Sequence, residues 1–222
     1  MPDAGDTATP SPIPLSVTVI EHPILAHWLT VLRDRSTPAP RFRAAMGMAG
    51  ALLAYEATRD LLTTDAPVET PLERHIGKRL AQHLTVVPIL RAGMGLADRL
   101  LEWIPGSHMG HLGMFRDEAS LEPVSYYEKL PSQVDHGPVL LVDPMLATGG
   151  SAAASVGRLK DRGCTDIRFL CLVASPEGLS TLEKAHPGTP VFTAAIDRGL
   201  DANGYIRPGL GDAGDRVFGT IA

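Results

Sequence analysis

Apolar residues fall along this chain in short, nearly continuous runs, and between the runs they recur every three or four positions. The runs are SVTVI (16–20), LTVVPIL (84–90), HMGHLGMF (108–115), PVLLV (138–142), IRFLCLVA (167–174) and PVFTAAI (190–196), and they read as strands. Pro23 can open a helix that runs to about Arg33. A second helix from near Arg41 sets Phe42, Ala45, Met46, Ala49, Leu52 and Leu53 at helical spacing. Further helices are GLADRLLEW (95–103), SAAASVGRLKDRG (151–163) with a glycine C-cap, and PEGLSTLEKAH (176–186) opened by Pro176. Strands apolar on both faces, alternating with helices, predict an α/β fold: a mainly parallel sheet with helices on both faces. Residues 1–16, rich in Pro, Thr, Ser and Asp, predict a disordered tail, and 17–222 a single domain. The polar stretch 63–83 gives no clear element. The segment 204–222 is glycine-rich and aperiodic, which predicts a loop with unusual backbone angles.

In such sheets ligands bind at the carboxyl ends of strands, and the candidate chemistry lies there. Residues 139–153 read VLLVDPMLATGGSAA. A buried strand ends in Asp143, then a turn carries Pro144, Met145, Leu146, Ala147, Thr148, Gly149, Gly150 and Ser151 into a helix. The glycines let backbone N–H groups approach a phosphate, and the helix N-terminus adds partial positive charge. The acid can accept hydrogen bonds from sugar hydroxyls, so the whole reads as a cradle for a ribose phosphate. Arg91 follows a strand in VVPILRAGMG (86–95), where a planar guanidinium suits a pyrophosphate. Arg116 follows another and opens a segment in which Tyr126, Tyr127 and Lys129 read as a flexible flap. The tail offers Ile206, Gly211, Asp212 and Ala213, whose backbone groups can read the edge of a flat heterocycle.

Composition narrows the field. A net charge of −5 over 222 residues gives no general attraction to nucleic acid. The two cysteines, Cys164 and Cys171, lack metal-ligand spacing and imply no disulfide framework. The N-terminus is no signal peptide and no run is long enough to span a membrane, so a soluble, cytoplasmic protein is expected. The eight histidines show no H-E-x-x-H pattern, and there is no Walker-type GK[ST] ending, G-x-G-x-x-G spacing or G-x-S-x-G nucleophile turn.

VDPMLATGGS, VPILRAGMG, MFRDE, LEPVSYYEKLP, ASPEG and GYIRPGLGDAGDRVFGT together resemble the bacterial uracil phosphoribosyltransferases, as do RFR (41–43) and YEATRDL (55–61). The resemblance runs from about Val17 to the C-terminus and is weakest over 63–83. It implies a type I phosphoribosyltransferase-like fold with N-terminal helices (17–62) and a hood built from parts of 17–62 and 197–222. It implies conversion of uracil and 5-phospho-α-D-ribose 1-diphosphate (PRPP) to UMP and diphosphate in pyrimidine salvage. By the same resemblance, Asp143 to Ser151 bind the ribose and its 5-phosphate, and Arg91 and Arg116 the diphosphate. Ile206, Gly211 and Ala213 hold uracil, and Asp212 lies between base and donor. Mg²⁺ is implied through diphosphate and water. Pro144 stands where other phosphoribosyltransferases carry a second acid, so no direct protein–metal bond is implied. Some relatives have a GTP effector, and a homodimer or higher oligomer is implied. The competing readings are a phosphoribosyltransferase for another base and a UMP-sensing, RNA-binding regulator on the same fold.

Overall fold

The structure, a computed structural model, describes residues 16–116 and 123–220. The expected disordered tail therefore lies outside the described residues, apart from Ser16, as do Asp117, Glu118 and Glu122. In chain order the elements are β1 (Val17–Val19), α1 (Pro23–Arg33), α2 (Ala39–Ala57), β2 (Thr63–Glu69), β3 (Arg74–Leu80), β4 (Thr85–Leu90) and α3 (Met94–Trp103). Then come β5 (His108–Met109), β6 (His111–Arg116), β7 (Pro123–Lys129), β8 (Val139–Val142), β9 (Met145–Leu146), α4 (Gly150–Asp161) and β10 (Ile167–Ala174). The last are α5 (Pro176–Ala185), β11 (Val191–Ile196), β12 (Gly199–Leu200), β13 (Ile206–Arg207) and α6 (Ala213–Phe218).

The central sheet runs β1-β11-β10-β8-β4-β6-β7, with β5 beside β4 and β9 beside β10. Every pairing in it is parallel except β6 with β7. Its strands are apolar on both faces because two cores cover it. Val86, Leu140, Val142, Leu170 and Leu172 face a cluster with α1, α2, α3 and α6. The alternate residues Val87, Leu141, Phe169 and Cys171 face a second cluster with α4 and α5. That two-residue alternation inside an unbroken apolar run is how a parallel sheet serves two helical layers.

Three regions differ from the sequence reading. The unassigned stretch 63–83 forms an antiparallel hairpin, β2 with β3, in register from Thr63–Leu80 to Glu69–Arg74. It leaves Val68, Leu72, Ile76 and Leu80 exposed, with Leu72 95% accessible. The run 108–115 breaks at Gly110 into β5 and β6. The expected flap residues Tyr126, Tyr127 and Lys129 lie in β7, bonded along β6. Glu128 between them is largely buried and paired with both Arg158 and Arg162 of α4. Strand pairing and two ion pairs thus connect this segment to β6 and α4.

Candidate functional site

Four adjacent strands end on one edge of the sheet, and each is followed by a polar or charged residue. β4 leads to Arg91, β8 to Asp143, β10 to Ser175 and β11 to Asp197. The sequence reading singled out the first two; the other two hold the site together.

The turn after β8 is shaped by its neighbours. The Pro144 carbonyl accepts from the N–H groups of Leu172 (3.0 Å) and Val173 (3.2 Å), and the Leu146 carbonyl from Ser175 N–H (3.0 Å). The Ser175 hydroxyl donates to the Ala147 carbonyl at 2.5 Å and accepts from Gly178 N–H at 2.9 Å, capping α5. The carbonyls of the turn are consumed on the β10–α5 side. Its N–H groups from Thr148 through Ala152 meet no acceptor among the described residues. Gly149 starts α4 with φ +84° and no side-chain cap, and a Cβ there would come within 2.6 Å of the Gly178 carbonyl. A helix N-terminus with free donors and no capping side chain is an anion site in waiting. Thr148 and Ser151, half-buried, add two hydroxyls without partners among the described residues.

Asp143 keeps partial contact with solvent but sits among apolar strands. Burial pushes its carboxyl up to about 7, opposed weakly by the Met145 N–H, which lies 3.4 Å from Oδ1. Desolvation wins because, among the described residues, the Met145 N–H is the one group that opposes it.

Arg91 is exposed, and its Nη2 donates to Asp215 Oδ1 of α6 at 3.2 Å. Arg116 closes β6, at the edge of the described residues. The tail is more ordered than its composition implied. It contains β13, paired with β12, and α6, whose N-cap Asp212 accepts from Asp215 N–H at 2.9 Å. Ile206 and Ala213 are buried, whereas Gly211 and Asp212 are exposed. The tail thus reaches the arginine turn through Asp215.

Sequence reasoning missed the residues that fasten this tail. Arg33 at the end of α1 donates to both oxygens of buried Asp197 (2.9 and 2.7 Å) and to the Gly209 carbonyl (3.0 Å). Asp197 also accepts from Gly209 N–H at 2.9 Å. Arg216 donates to the carbonyls of Leu32, Asp34 and Leu210 and stacks 4.2 Å above the Phe42 ring. Arg43 of α2 donates to the Val217 carbonyl at 2.5 Å, so three arginines tie the glycine-rich segment to the N-terminal helices. The only sequence signals were charged residues inside otherwise unpatterned motifs.

A parallel sheet with an acid-to-glycine turn at one strand end and an arginine turn at its neighbour defines the phosphoribosyltransferase class. A hypoxanthine-guanine phosphoribosyltransferase from Bacillus anthracis shares the fold, with a TM-score of 0.50 over 72% of this chain and 80% of that one at 12% identity. The chain belongs to the uracil phosphoribosyltransferase family, whose model matches residues 19–220. It is 51% identical over 205 residues to the uracil phosphoribosyltransferase of Salinibacter ruber, covering 92% of this chain and 98% of that protein. It is 50% identical over 204 residues to that of Acholeplasma laidlawii, with the same coverages of 92% and 98%. Among solved structures it is similar to the AQ2163 protein from Aquifex aeolicus, with a TM-score of 0.87 and 32% identity over 91% of this chain and 97% of that one.

Proposed function

We infer that the protein transfers the phosphoribosyl group of PRPP to uracil, giving UMP and diphosphate. The observation that carries this reading is the turn after β8, whose Pro144, Leu146 and Ala147 carbonyls are bonded toward β10 and α5 and whose N–H groups from Thr148 to Ala152 are left free among the described residues. In this reading the N–H groups and hydroxyls from Thr148 to Ser151 hold the 5-phosphate, with Pro144 to Ala147 forming the wall behind it. Asp143 accepts from the ribose hydroxyls. Arg91 and Arg116 take the diphosphate. The segment 197–222 and the helices of 17–62 form a hood in which backbone groups of Ile206, Gly211 and Ala213 hold uracil, with Asp212 between base and donor.

Departure of diphosphate builds positive charge on the anomeric carbon and negative charge on the leaving group. The two guanidinium groups stabilise the departing charge, and the phosphate turn and Asp143 fix the sugar. A ring nitrogen of uracil bonds to the anomeric carbon from the opposite face as the bond to diphosphate breaks, and its N–H proton passes to water or to the departing diphosphate, so no side-chain nucleophile is needed. Among the described residues no group of three His, Cys, Asp or Glu is placed to hold a metal ion. In this reading, as the family resemblance and Pro144 imply, Mg²⁺ would arrive with the diphosphate and water and would neutralise charge on the leaving group.

Base choice follows from hydrogen-bond polarity. A backbone N–H in 206–213 that meets the uracil 4-oxygen would meet an amino group in cytosine, and an unpaired donor costs roughly 1–3 kcal/mol. The test is ultraviolet-monitored nucleotide formation from PRPP with uracil, cytosine, hypoxanthine and adenine, with and without Mg²⁺. Uracil should be preferred over cytosine by about tenfold to a hundredfold or more. Equal turnover of another base, or no UMP, would defeat the reading. The exposed apolar residues of β2–β3 support a homodimer or higher oligomer, since large exposed apolar patches mark association surfaces. Two free buried thiols suit the cytoplasm, and no helix among the described residues is long and apolar enough to cross a membrane. A GTP effector remains part of the proposal by kinship alone.

A further inference from the structure

Arg91 is held by a residue that the substrates need not touch. We propose that Asp215 is a positioning residue: it grips one edge of the Arg91 guanidinium and so holds the other edge toward the diphosphate. This rests on the assignment of Arg91 to the diphosphate made above.

The geometry is specific. Arg91 leaves the end of β4 with its side chain 59% accessible, so nothing else in the described protein confines it. A long exposed arginine loses rotamer freedom whenever it is recruited to a ligand. Asp215 makes a single contact, from Nη2 to Oδ1 at 3.2 Å. Nη2 carries two hydrogens and this contact uses one, so the second Nη2 hydrogen and the Nε and Nη1 donors stay free, and a neighbouring pair on one edge can still engage phosphate oxygens.

Asp215 is itself well fixed. The Thr220 hydroxyl donates to the same Oδ1 at 2.7 Å. Its own N–H is bound by the Asp212 side chain at 2.9 Å, and its carbonyl accepts from the N–H groups of Gly219 (2.7 Å) and Thr220 (3.1 Å). The Thr220 hydroxyl first, and the Arg91 guanidinium after it, hold the Asp215 carboxyl below the usual carboxylate range, so it is ionised at neutral pH. A fixed carboxylate beside a free-swinging arginine is an aiming device. The same contact ties the diphosphate turn to α6, in the segment that carries the base-binding residues.

Two effects oppose each other. The Asp215 charge repels an arriving diphosphate, whereas aiming Arg91 favours it. Since Arg91 already neutralises that carboxylate at contact distance, aiming is the larger effect. An exposed ion pair is worth a small factor, about two- to fivefold in an equilibrium.

The experiment measures steady-state UMP formation for the wild type, Arg91→Ala, Asp215→Asn, Asp215→Glu and the Arg91→Ala/Asp215→Asn double variant. Asparagine keeps an acceptor for Thr220 and the α6 turn, and loses only the charge. Asp215→Asn should raise the KM for PRPP about two- to fivefold, leave the KM for uracil unchanged and leave the thermal midpoint within a degree. Asp215→Glu should bring the KM for PRPP back toward the wild type. In the Arg91→Ala background the Asn substitution should have no further effect. An unchanged or lowered KM for PRPP in Asp215→Asn, or additivity in the double variant, overturns the inference. So does a parallel rise in the KM for uracil or a loss of thermal stability, which would mark a purely structural role. If Arg91→Ala alone leaves the KM for PRPP unchanged, the fault lies with the assignment of Arg91 and not with the aiming contact.

Discussion

The turn after β8 and the tail that faces it are both glycine-rich, yet they are held by different forces. The turn is held by the backbone: four hydrogen bonds from β10 and α5 consume its carbonyls, and its shape follows from residues adjacent along the sheet. The tail is held by charged side chains: Arg33 reaches it from α1 with buried Asp197 as its partner, and Arg216 reaches back from the tail to the carbonyls of Leu32 and Asp34. Backbone bonding gives a rigid cradle that suits an anion of fixed shape. Ion pairs at the rim give a cover whose position depends on a few side chains. On the proposed assignment the site therefore joins a fixed half, which would take the sugar phosphate, to an adjustable half, which would take the base.

The contrast breaks most sharply at Gly149. Valine there would force a branched residue to φ +84° and drive its Cβ into the Gly178 carbonyl and Thr181, at 2.6 and 2.7 Å. Left-handed strain and overpacking together should cost roughly 2–5 kcal/mol of unfolding free energy. UMP formation should fall by more than a hundredfold, because the N–H groups of the cradle would be displaced. Denaturant titration and initial rates check this together. A stable, active Gly149→Val variant would mean that the turn is not rigid.

The tail should break differently. Arg33→Ala leaves Asp197 buried with only the Gly209 N–H for a partner. The unpaired carboxylate should cost about 2–3 kcal/mol. The KM for uracil should rise about tenfold while that for PRPP changes less than twofold, since the phosphate turn does not use this pair. Equal changes in both would show that the two halves act as one unit.

The same contrast explains what could be read in advance. β1, β4, β8, β10, β11 and the helices α1 to α5 were visible because their signals are local: apolar runs, helical spacing from Phe42 to Leu53, Pro23 and Pro176 at helix starts, Gly163 after α4. Asp143 and the following glycines were visible because strand, acid and turn are contiguous. Arg33 and Asp197 are 164 positions apart and meet only once the sheet is assembled, so nothing marked them as partners. Ser175 stood inside ASPEG without a role, because its task is to hold another loop. The hairpin β2–β3 was illegible for a different reason. Both its strands are exposed on both faces, so no apolar period marks them, and Pro67 argues locally against a strand. The pairing of Glu128 with two arginines of α4 was illegible for the same reason, since a polar composition does not reveal which charges meet.

The smallest effect on stability, and the most informative about chemistry, concerns Asp143. Its carboxyl is raised to about 7 by desolvation, against 3.8 for an unburied aspartate. Between those values the folded protein holds a proton that the unfolded chain has lost, so stability falls as pH rises toward 7 and the cost is fully present above it. Asp143→Asn removes that cost. It should stabilise the protein by about 1 kcal/mol at pH 8, where partial solvent contact keeps the gain well under the full conversion of the shift, and by almost nothing at pH 4. Activity should move the other way. An acceptor for ribose hydroxyls must be ionised, so kcat/KM for PRPP should fall below pH 7 in the wild type. The phosphates of PRPP titrate nearby, so the comparison is with Asp143→Asn, which should be slower at every pH and should lose the part of the acid limb that belongs to the enzyme. A variant destabilised at pH 8, or a limb unchanged by the substitution, would mean that Asp143 is held ionised by a cationic partner. Stability gained where activity is lost would instead mark the strained half of the site as the half that handles the sugar.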